Sequence, residues 1–204
     1  MFDTSHKAYI LFSYFIYEDY MANYTKEVLK VQPYFDMEAV MALLQETRLG
    51  GQVLEDMVHT FERVAKELNS IVLKTEKGDY LVVWLNEKAE QEADELFAKD
   101  PEKGFRFNCI GQSIIMNAVY QILPEVEQAG CAPCPVPNES IAEALKAENI
   151  PYLDGEPTLV RRFSVLTSLP FRGACEICYL REACPKANGQ SDNFHSVELP
   201  GYQE

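Results

Sequence analysis

Two groups of cysteines constrain this chain more than any other feature of its sequence. Cys131 and Cys134 form one C-x2-C pair, and Cys175, Cys178 and Cys184 follow about 40 residues later with the spacing C-x2-C-x5-C. A C-x2-C turn brings two thiolates within reach of one metal ion, and a distant segment can then complete a four-ligand shell. The two groups therefore indicate that the fold closes around a metal ion or an iron–sulfur cluster.

Charge and hydropathy limit the partners and the compartment. The chain has 204 residues and a net charge of −14, which repels nucleic-acid phosphates and anionic membranes, so we expect neither as a partner. The apolar stretch at residues 8–17 is shorter than the roughly 20 residues of a membrane-spanning helix, and no signal-peptide cleavage site follows it. We therefore expect a cytoplasmic protein. In that reducing compartment, clustered cysteines favour metal binding, whereas a secreted protein could pair all six in disulfide bonds.

Hydrophobic periodicity predicts a mainly α (α+β) fold whose first part, residues 1–128, is a helical body with one β-hairpin. Apolar residues at helical spacing predict helices over residues 5–30, 37–48, 54–68, 86–98 and 109–123, with a loop over 101–108. Two β-prone runs, 71–73 and 80–85, flank a glycine-containing turn at 76–79 and predict the hairpin. The first helix is aromatic around most of its circumference, so it offers a surface for homodimer formation.

The composition of the sequence changes at Pro124, and prolines at positions 133, 135 and 137 predict a stiff linker. We place a boundary here and predict a cysteine-rich metal-binding segment over residues 129–190, followed by a polar tail over 191–204. Asn138 is a candidate cap for a short helix over 139–147. Residues 157–169 fit both a helix that begins near Pro157 and an alternating strand, and we prefer the helix.

The first metal hypothesis is a [4Fe–4S] cluster. Its ligands are Cys175, Cys178 and Cys184, with either Cys131 or Cys134 as the fourth. Four thiolates leave such a centre negatively charged. Nearby cations could neutralise part of that charge, and the candidates are Arg172, Arg181 and Lys186.

The segment Gly173 to Pro185 resembles two known cysteine arrangements. Its C-x2-C-x5-C spacing is similar to the last three ligands of the iron–sulfur loop in helix-hairpin-helix DNA glycosylases, and to the three-cysteine C-terminal staple of RecB-type nucleases. In the glycosylase pattern the first cysteine would fall at position 168, which is Ser168 here. The chain also has neither a helix-hairpin-helix signature nor a nuclease carboxylate–lysine motif. The resemblance therefore implies a ligand geometry and no enzyme activity.

The second metal hypothesis is a structural zinc site with four cysteine ligands. Cys131, Cys134, Cys175 and Cys178 would form it, and Cys184 would be spare. A third possibility is a redox-active dithiol at Cys131 and Cys134, but the prolines that follow do not provide the helix N-terminus that activates such a thiol. Cys109 lies far from both groups at the start of an apolar helix, and we expect a buried free thiol there.

Together these features predict an intracellular metal-binding protein. The cluster hypothesis gives it a redox, sensing or electron-transfer role with an unidentified protein or redox partner. The zinc hypothesis makes it a binding or regulatory module without catalysis. The sequence shows no phosphate-binding loop, nucleophile elbow or dinucleotide fingerprint, so we assign no catalytic residue.

Overall fold

The computed structural model describes residues 24–154, 156–173, 175–184 and 187, which form a mixed α+β fold around a four-stranded antiparallel sheet. The strands lie in chain order, β1-β2-β3-β4. The elements are β1 (Tyr24–Val28), α1 (Met37–Leu44), α2 (Gly51–Val64), β2 (Leu68–Thr75), β3 (Gly78–Leu85), α3 (Glu87–Lys99), α4 (Pro101–Ile122), α5 (Pro124–Ala129), α6 (Glu139–Ala147) and β4 (Ser164–Leu169), with short 3-10 turns at Ala65–Glu67 and Arg181–Ala183.

Strand β3 lies in the middle of the sheet and is buried on both faces, which explains its unbroken apolar run. Successive side chains of a strand point to opposite faces. Leu81, Val83 and Leu85 belong to a first core cluster with helices α1 to α4. Tyr80, Val82 and Trp84 belong to a second core cluster, where α6 contributes Ile141, Ala144 and Leu145. Helices therefore cover both faces of the sheet at this strand.

The close packing of α4 against β4 depends on a glycine. A Cβ atom built on Gly111 would lie only 2.7 Å from the Phe163 ring. Phe163 is 2% exposed and precedes the first residue of β4. The missing side chain at Gly111 thus makes room for the largest buried aromatic of this region and fixes β4 against the helical layer.

The helix predicted over residues 5–30 is wrong where the structure describes it. Residues 24–28 form β1, which pairs antiparallel with β2. Tyr24 and Lys26, two positions apart and so on one face of the strand, both reach Glu148, at 3.0 and 2.8 Å. Pairing with β2 and these contacts override the helical pattern. Residues 5–23, and with them the aromatic surface expected to support a homodimer, lie outside the described residues.

The loop predicted over residues 101–108 is also wrong, because α4 begins at Pro101. Proline suits a first helical position, where its missing N–H would have no partner in any case. Asp100 caps this helix, accepting a hydrogen bond from the Lys103 N–H at 3.2 Å. The following turns bury Phe107, so the eight residues taken for a loop continue the helix that was predicted from Cys109.

The helix preferred over residues 157–169 is wrong, and the strand alternative is confirmed for Ser164–Leu169. This segment forms β4 and pairs antiparallel with β3 along its whole length. Its alternation matches the two faces of the sheet, since Leu166 joins the second core cluster while Val165 and Leu169 pack against the first. The contacts of both faces outweigh the helical start suggested by Pro157.

Other predicted elements are confirmed with shifted ends. The hairpin of β2 and β3 exists and is longer than predicted, with only Glu76 and Lys77 between its strands. Asp36 and Asn138 cap α1 and α6, each accepting a hydrogen bond from a first-turn backbone N–H. Helix α2 starts earlier than predicted, at Gly51, and α1 ends earlier, at Leu44.

The described part of the predicted cysteine-rich segment shares its core with the rest of the chain. Strand β4 completes the sheet, and α6 packs on β2. The boundary near residue 129 therefore separates two stretches of sequence that contribute to one sheet. Among the described residues, no helix is long and apolar enough to span a membrane.

Candidate metal centre

The first cysteine loop, residues 131–135, lies against the edge strand β4. Helix α5 ends at Ala129, and Gly130 takes the left-handed conformation, with φ of 65°, that turns the chain into the loop. The Thr167 hydroxyl, on β4 and completely buried, donates a hydrogen bond to the Pro133 carbonyl at 3.0 Å. Pro133 and Pro135 are themselves buried. The sheet therefore holds the backbone between the two cysteines of this loop.

The second cysteine loop, residues 172–184, meets the first loop through the backbone. The Tyr179 N–H donates a hydrogen bond to the Cys134 carbonyl at 2.9 Å. Tyr179 directly follows Cys178, so this bond joins the two C-x2-C pairs. A 3-10 turn at Arg181–Ala183 then leads the chain from Cys178 to Cys184, whose N–H donates to the Arg181 carbonyl at 3.3 Å.

All five clustered cysteines are half-buried and none of them forms a disulfide bond, whereas Cys109 is buried in α4, as predicted. The Sγ atom of Cys134 lies 3.7 Å from the carbonyl oxygens of Pro135 and Pro157, and that of Cys131 lies 3.7 Å from the Ala132 carbonyl oxygen. A thiol is a weak donor, and in both cysteines the S–H group is directed at backbone oxygen.

Burial is the first reason that the Cys134 thiol holds its proton, and the neighbouring Cys178 is the second. Together they raise the pKa of Cys134 to about 11. Cys178 raises this pKa through its charge, so the side chains of Cys134 and Cys178 interact electrostatically. At neutral pH Cys134 is therefore a protonated thiol in the metal-free protein.

The two loops meet, but their sulfur atoms do not form a ligand shell as they stand. Within the ranges that the structure describes, no three side chains of His, Cys, Asp or Glu converge closely enough to hold a metal ion. The chemistry of the donor set still suits a thiolate-bound centre, because five cysteines that form no disulfide bond lie on two loops in backbone contact. Loading would require the thiols to lose their protons and turn away from the carbonyl oxygens.

The residues expected to balance the charge of a cluster lie on or beside the second loop. Arg172 and Arg181 are described and are solvent-exposed. Lys186 lies outside the described residues. Nearby, Arg161 pairs with Glu90 at 3.4 Å and Arg162 pairs with Asp94 at 2.7 Å, so these two guanidinium groups already have carboxylate partners.

Sequence reasoning missed two residues beside the first loop. Thr167 lies on the same face of β4 as Val165 and Leu169, and the two-residue period of a strand predicts that this side chain points into the core. The second is Tyr152, whose hydroxyl oxygen is buried. Burial and neighbouring Cys134 raise the pKa of Tyr152. No sequence signal connects Tyr152 with Cys134, 18 positions earlier, because their proximity follows from tertiary packing.

Comparison with known proteins gives no family assignment. No protein-family profile, no curated protein and no solved structure matches the chain significantly.

Proposed function

We propose that the chain is a metal-binding protein whose two cysteine loops hold a [4Fe–4S] cluster in a redox, sensing or electron-transfer role. The observation that carries the proposal is the hydrogen bond from the Tyr179 N–H to the Cys134 carbonyl at 2.9 Å. It brings together two cysteine groups that are distant in the sequence. Local chain geometry alone does not require the two cysteine loops to touch, whereas a metal centre with ligands from both loops does.

Among the two candidates for the fourth ligand, the contacts favour Cys134 over Cys131. Cys134 carries the backbone bond to the second loop, and its pKa responds to Cys178. The ligands would then be Cys134, Cys175, Cys178 and Cys184. When bound, such a cluster supplies one-electron redox chemistry.

The chain's own residues would have three tasks at this centre. The thiols release their protons, since the thiolate is the ligand form. Thr167 holds the first loop against the sheet through the Pro133 carbonyl. Arg172, Arg181 and Lys186 would offset the negative charge that four thiolates leave on the centre.

A zinc site is the second candidate, because the observed backbone bond joins the two C-x2-C pairs themselves. Cys131, Cys134, Cys175 and Cys178 would then be the ligands, and the protein would be a binding or regulatory module without catalysis. Structural zinc is typically held by four thiolate or imidazole ligands in a closed tetrahedral site. Cys184 would take no part.

Metal analysis after anaerobic purification distinguishes the two candidates. A cluster predicts iron and acid-labile sulfide, with visible absorption that bleaches on addition of dithionite. A zinc site predicts colourless protein with one zinc ion. Protein that holds neither metal after reconstitution would contradict both.

The Cys184→Ala variant tests the ligand sets. It should lose the metal if the cluster set is right and retain the metal if the zinc set is right. Cys109→Ala is the matched control, because Cys109 is buried in α4 and belongs to neither set. The control should retain its metal in both cases.

The cytoplasm is the compartment that we propose, because reduced thiols are available for metal binding there. We expect an unidentified protein or redox partner, and the net charge of −14 leads us to expect no nucleic acid or membrane. A homodimer formed through the aromatic residues before Tyr24 remains a proposal that light scattering can test.

A further inference from the structure

Helices α2, α3 and α4 enclose a cleft that no residue of the cysteine loops lines. Helices α2 and α3 both pack on α4, whereas over their described lengths they make little contact with each other. The space left between them has a volume of about 190 Å³. Its lining follows helical spacing, with positions 53, 56, 57 and 60 on α2, 92 and 96 on α3, and 103, 106, 107 and 110 on α4. One face of each helix is therefore turned towards the same space.

The floor of the cleft is apolar and buried. Met57, Phe107 and Ile110 form it, and each of these side chains is at most 3% exposed. A cavity of about 150 Å³ with an apolar lining is large enough to hold benzene. The cleft therefore accommodates a branched aliphatic or an aromatic group of similar size.

Acidic side chains line the walls formed by α2 and α3. Both carboxylate oxygens of Glu92 already accept hydrogen bonds from the Arg63 guanidinium group. Asp56 Oδ1 accepts a hydrogen bond from Gln52 Nε2 at 2.8 Å, and no described residue donates to Asp56 Oδ2. Asp56 is therefore the carboxylate that is available to a cationic group in the cleft.

Basic side chains line the wall formed by α4. Lys103 Nζ lies 3.7 Å from Asp100 Oδ2, and Arg106 pairs with Glu102 one turn earlier on the same helix. Among the described residues, no ion pair joins either cation to Asp56 across the cleft. Ion pairs at an exposed surface are weak. A carboxylate that enters the cleft can therefore replace them and take the bidentate geometry that a guanidinium group offers.

We propose that this cleft binds a free α-amino acid with an apolar side chain. The ammonium group of the ligand binds Asp56, its carboxylate binds Lys103 and Arg106, and its side chain lies on the apolar floor. A zwitterion matches walls of opposite charge, whereas a carboxylic acid without an amine would leave Asp56 unpaired. This binding does not depend on the metal centre, because the cleft and the cysteine loops share no residue.

Isothermal titration calorimetry of the full chain with L-leucine and L-phenylalanine tests the proposal. We expect both amino acids to bind. L-Alanine should bind about 10-fold more weakly or worse than L-leucine, because it buries less apolar surface. 4-Methylpentanoate, which is leucine without its ammonium group, should also bind about 10-fold more weakly or worse, because the charge-assisted hydrogen bond to Asp56 is lost. If neither L-leucine nor L-phenylalanine binds, or if 4-methylpentanoate binds as tightly as L-leucine, the proposal is wrong.

Asp56→Asn tests the assigned role of the acidic wall, with Glu55→Gln as the matched control. Both variants remove one negative charge from exposed positions of α2, but Glu55 does not line the cleft. Asp56→Asn should weaken L-leucine binding about 10-fold or more and should not weaken the binding of 4-methylpentanoate. Glu55→Gln should bind both compounds as the wild type does. Equal L-leucine affinities in the two variants would contradict recognition of the ammonium group by Asp56.

Discussion

The sheet with its helices and the two cysteine loops differ in what holds them together. Leu81, Val83 and Leu85 of β3 are completely buried, and helices pack on both faces of that strand. The cysteine loops have half-buried thiols, exposed Ile177 and Tyr179, and a backbone bond from Tyr179 to Cys134. Apolar burial, the main favourable contribution to folding, is thus concentrated in the first region. We infer that the sheet and helices fold without metal, and that the proposed metal would stabilise the contact between the two loops.

The largest effect should come from an aromatic residue of the buried region. Phe163→Ala should lower the unfolding free energy of the metal-free protein by about 3–5 kcal/mol, because it leaves a cavity beside Gly111 that cannot fully collapse. Chemical denaturation measures this loss.

Tyr179→Ala is the control from the cysteine loops. Its side chain is 50% exposed, and a surface substitution of this kind changes stability by about 0.5 kcal/mol or less. Equal losses in the two variants would contradict the contrast between the regions.

A smaller effect is expected where the two regions meet. Thr167→Val should lower the unfolding free energy by about 1–3 kcal/mol, because the buried Pro133 carbonyl loses its hydrogen-bond donor. It should also weaken metal binding, since the first loop loses its attachment to β4. Denaturation and chelator competition measure the two effects.

Thr167→Ser serves as the control, because it keeps the hydroxyl and should retain most of the stability and the metal affinity. If Thr167→Ser weakens metal binding as much as Thr167→Val does, the hydroxyl does not hold the loop.

The smallest effect should appear at alkaline pH, where the ionisation of Cys134 changes the unfolding free energy of the metal-free protein. Its pKa is raised in the fold from 9.0 to about 11, so the folded state favours the protonated thiol. That contribution to stability is complete below pH 9 and is lost as the pH rises towards 11. The unfolding free energy of the wild type should therefore fall relative to Cys134→Ser over this range. Stability curves that stay parallel would show that Cys134 is not held as a thiol.

The sequence predicted those elements whose signals are local. Asn138 before an apolar run indicated α6, and two β-prone runs around a glycine turn indicated β2 and β3. Strands β1 and β4 were mistaken for helices because their identity depends on partners far away in the chain, namely β2 and β3. Polar Tyr24–Val28 has no apolar alternation that would have revealed a strand without its partner.

The residues of the candidate site also divide into those that a local sequence pattern predicts and those that only the tertiary structure reveals. Cysteine spacing alone pointed to five candidate ligands, Cys131, Cys134, Cys175, Cys178 and Cys184, because ligand geometry limits how far apart such residues can stand. The contribution of Thr167 comes from tertiary packing, which places a hydroxyl from β4 beside the first cysteine loop. No pattern within that loop identifies this neighbour.

Hydrogen exchange at the Tyr179 amide tests the central claim most directly, because this group links the two cysteine loops. Exchange rates should be measured by NMR in metal-loaded and metal-free protein, with the amides of β3 as an internal reference. The account predicts that metal slows exchange at Tyr179 strongly and leaves β3 protected in both states. Equal exchange at Tyr179 with and without metal would contradict it.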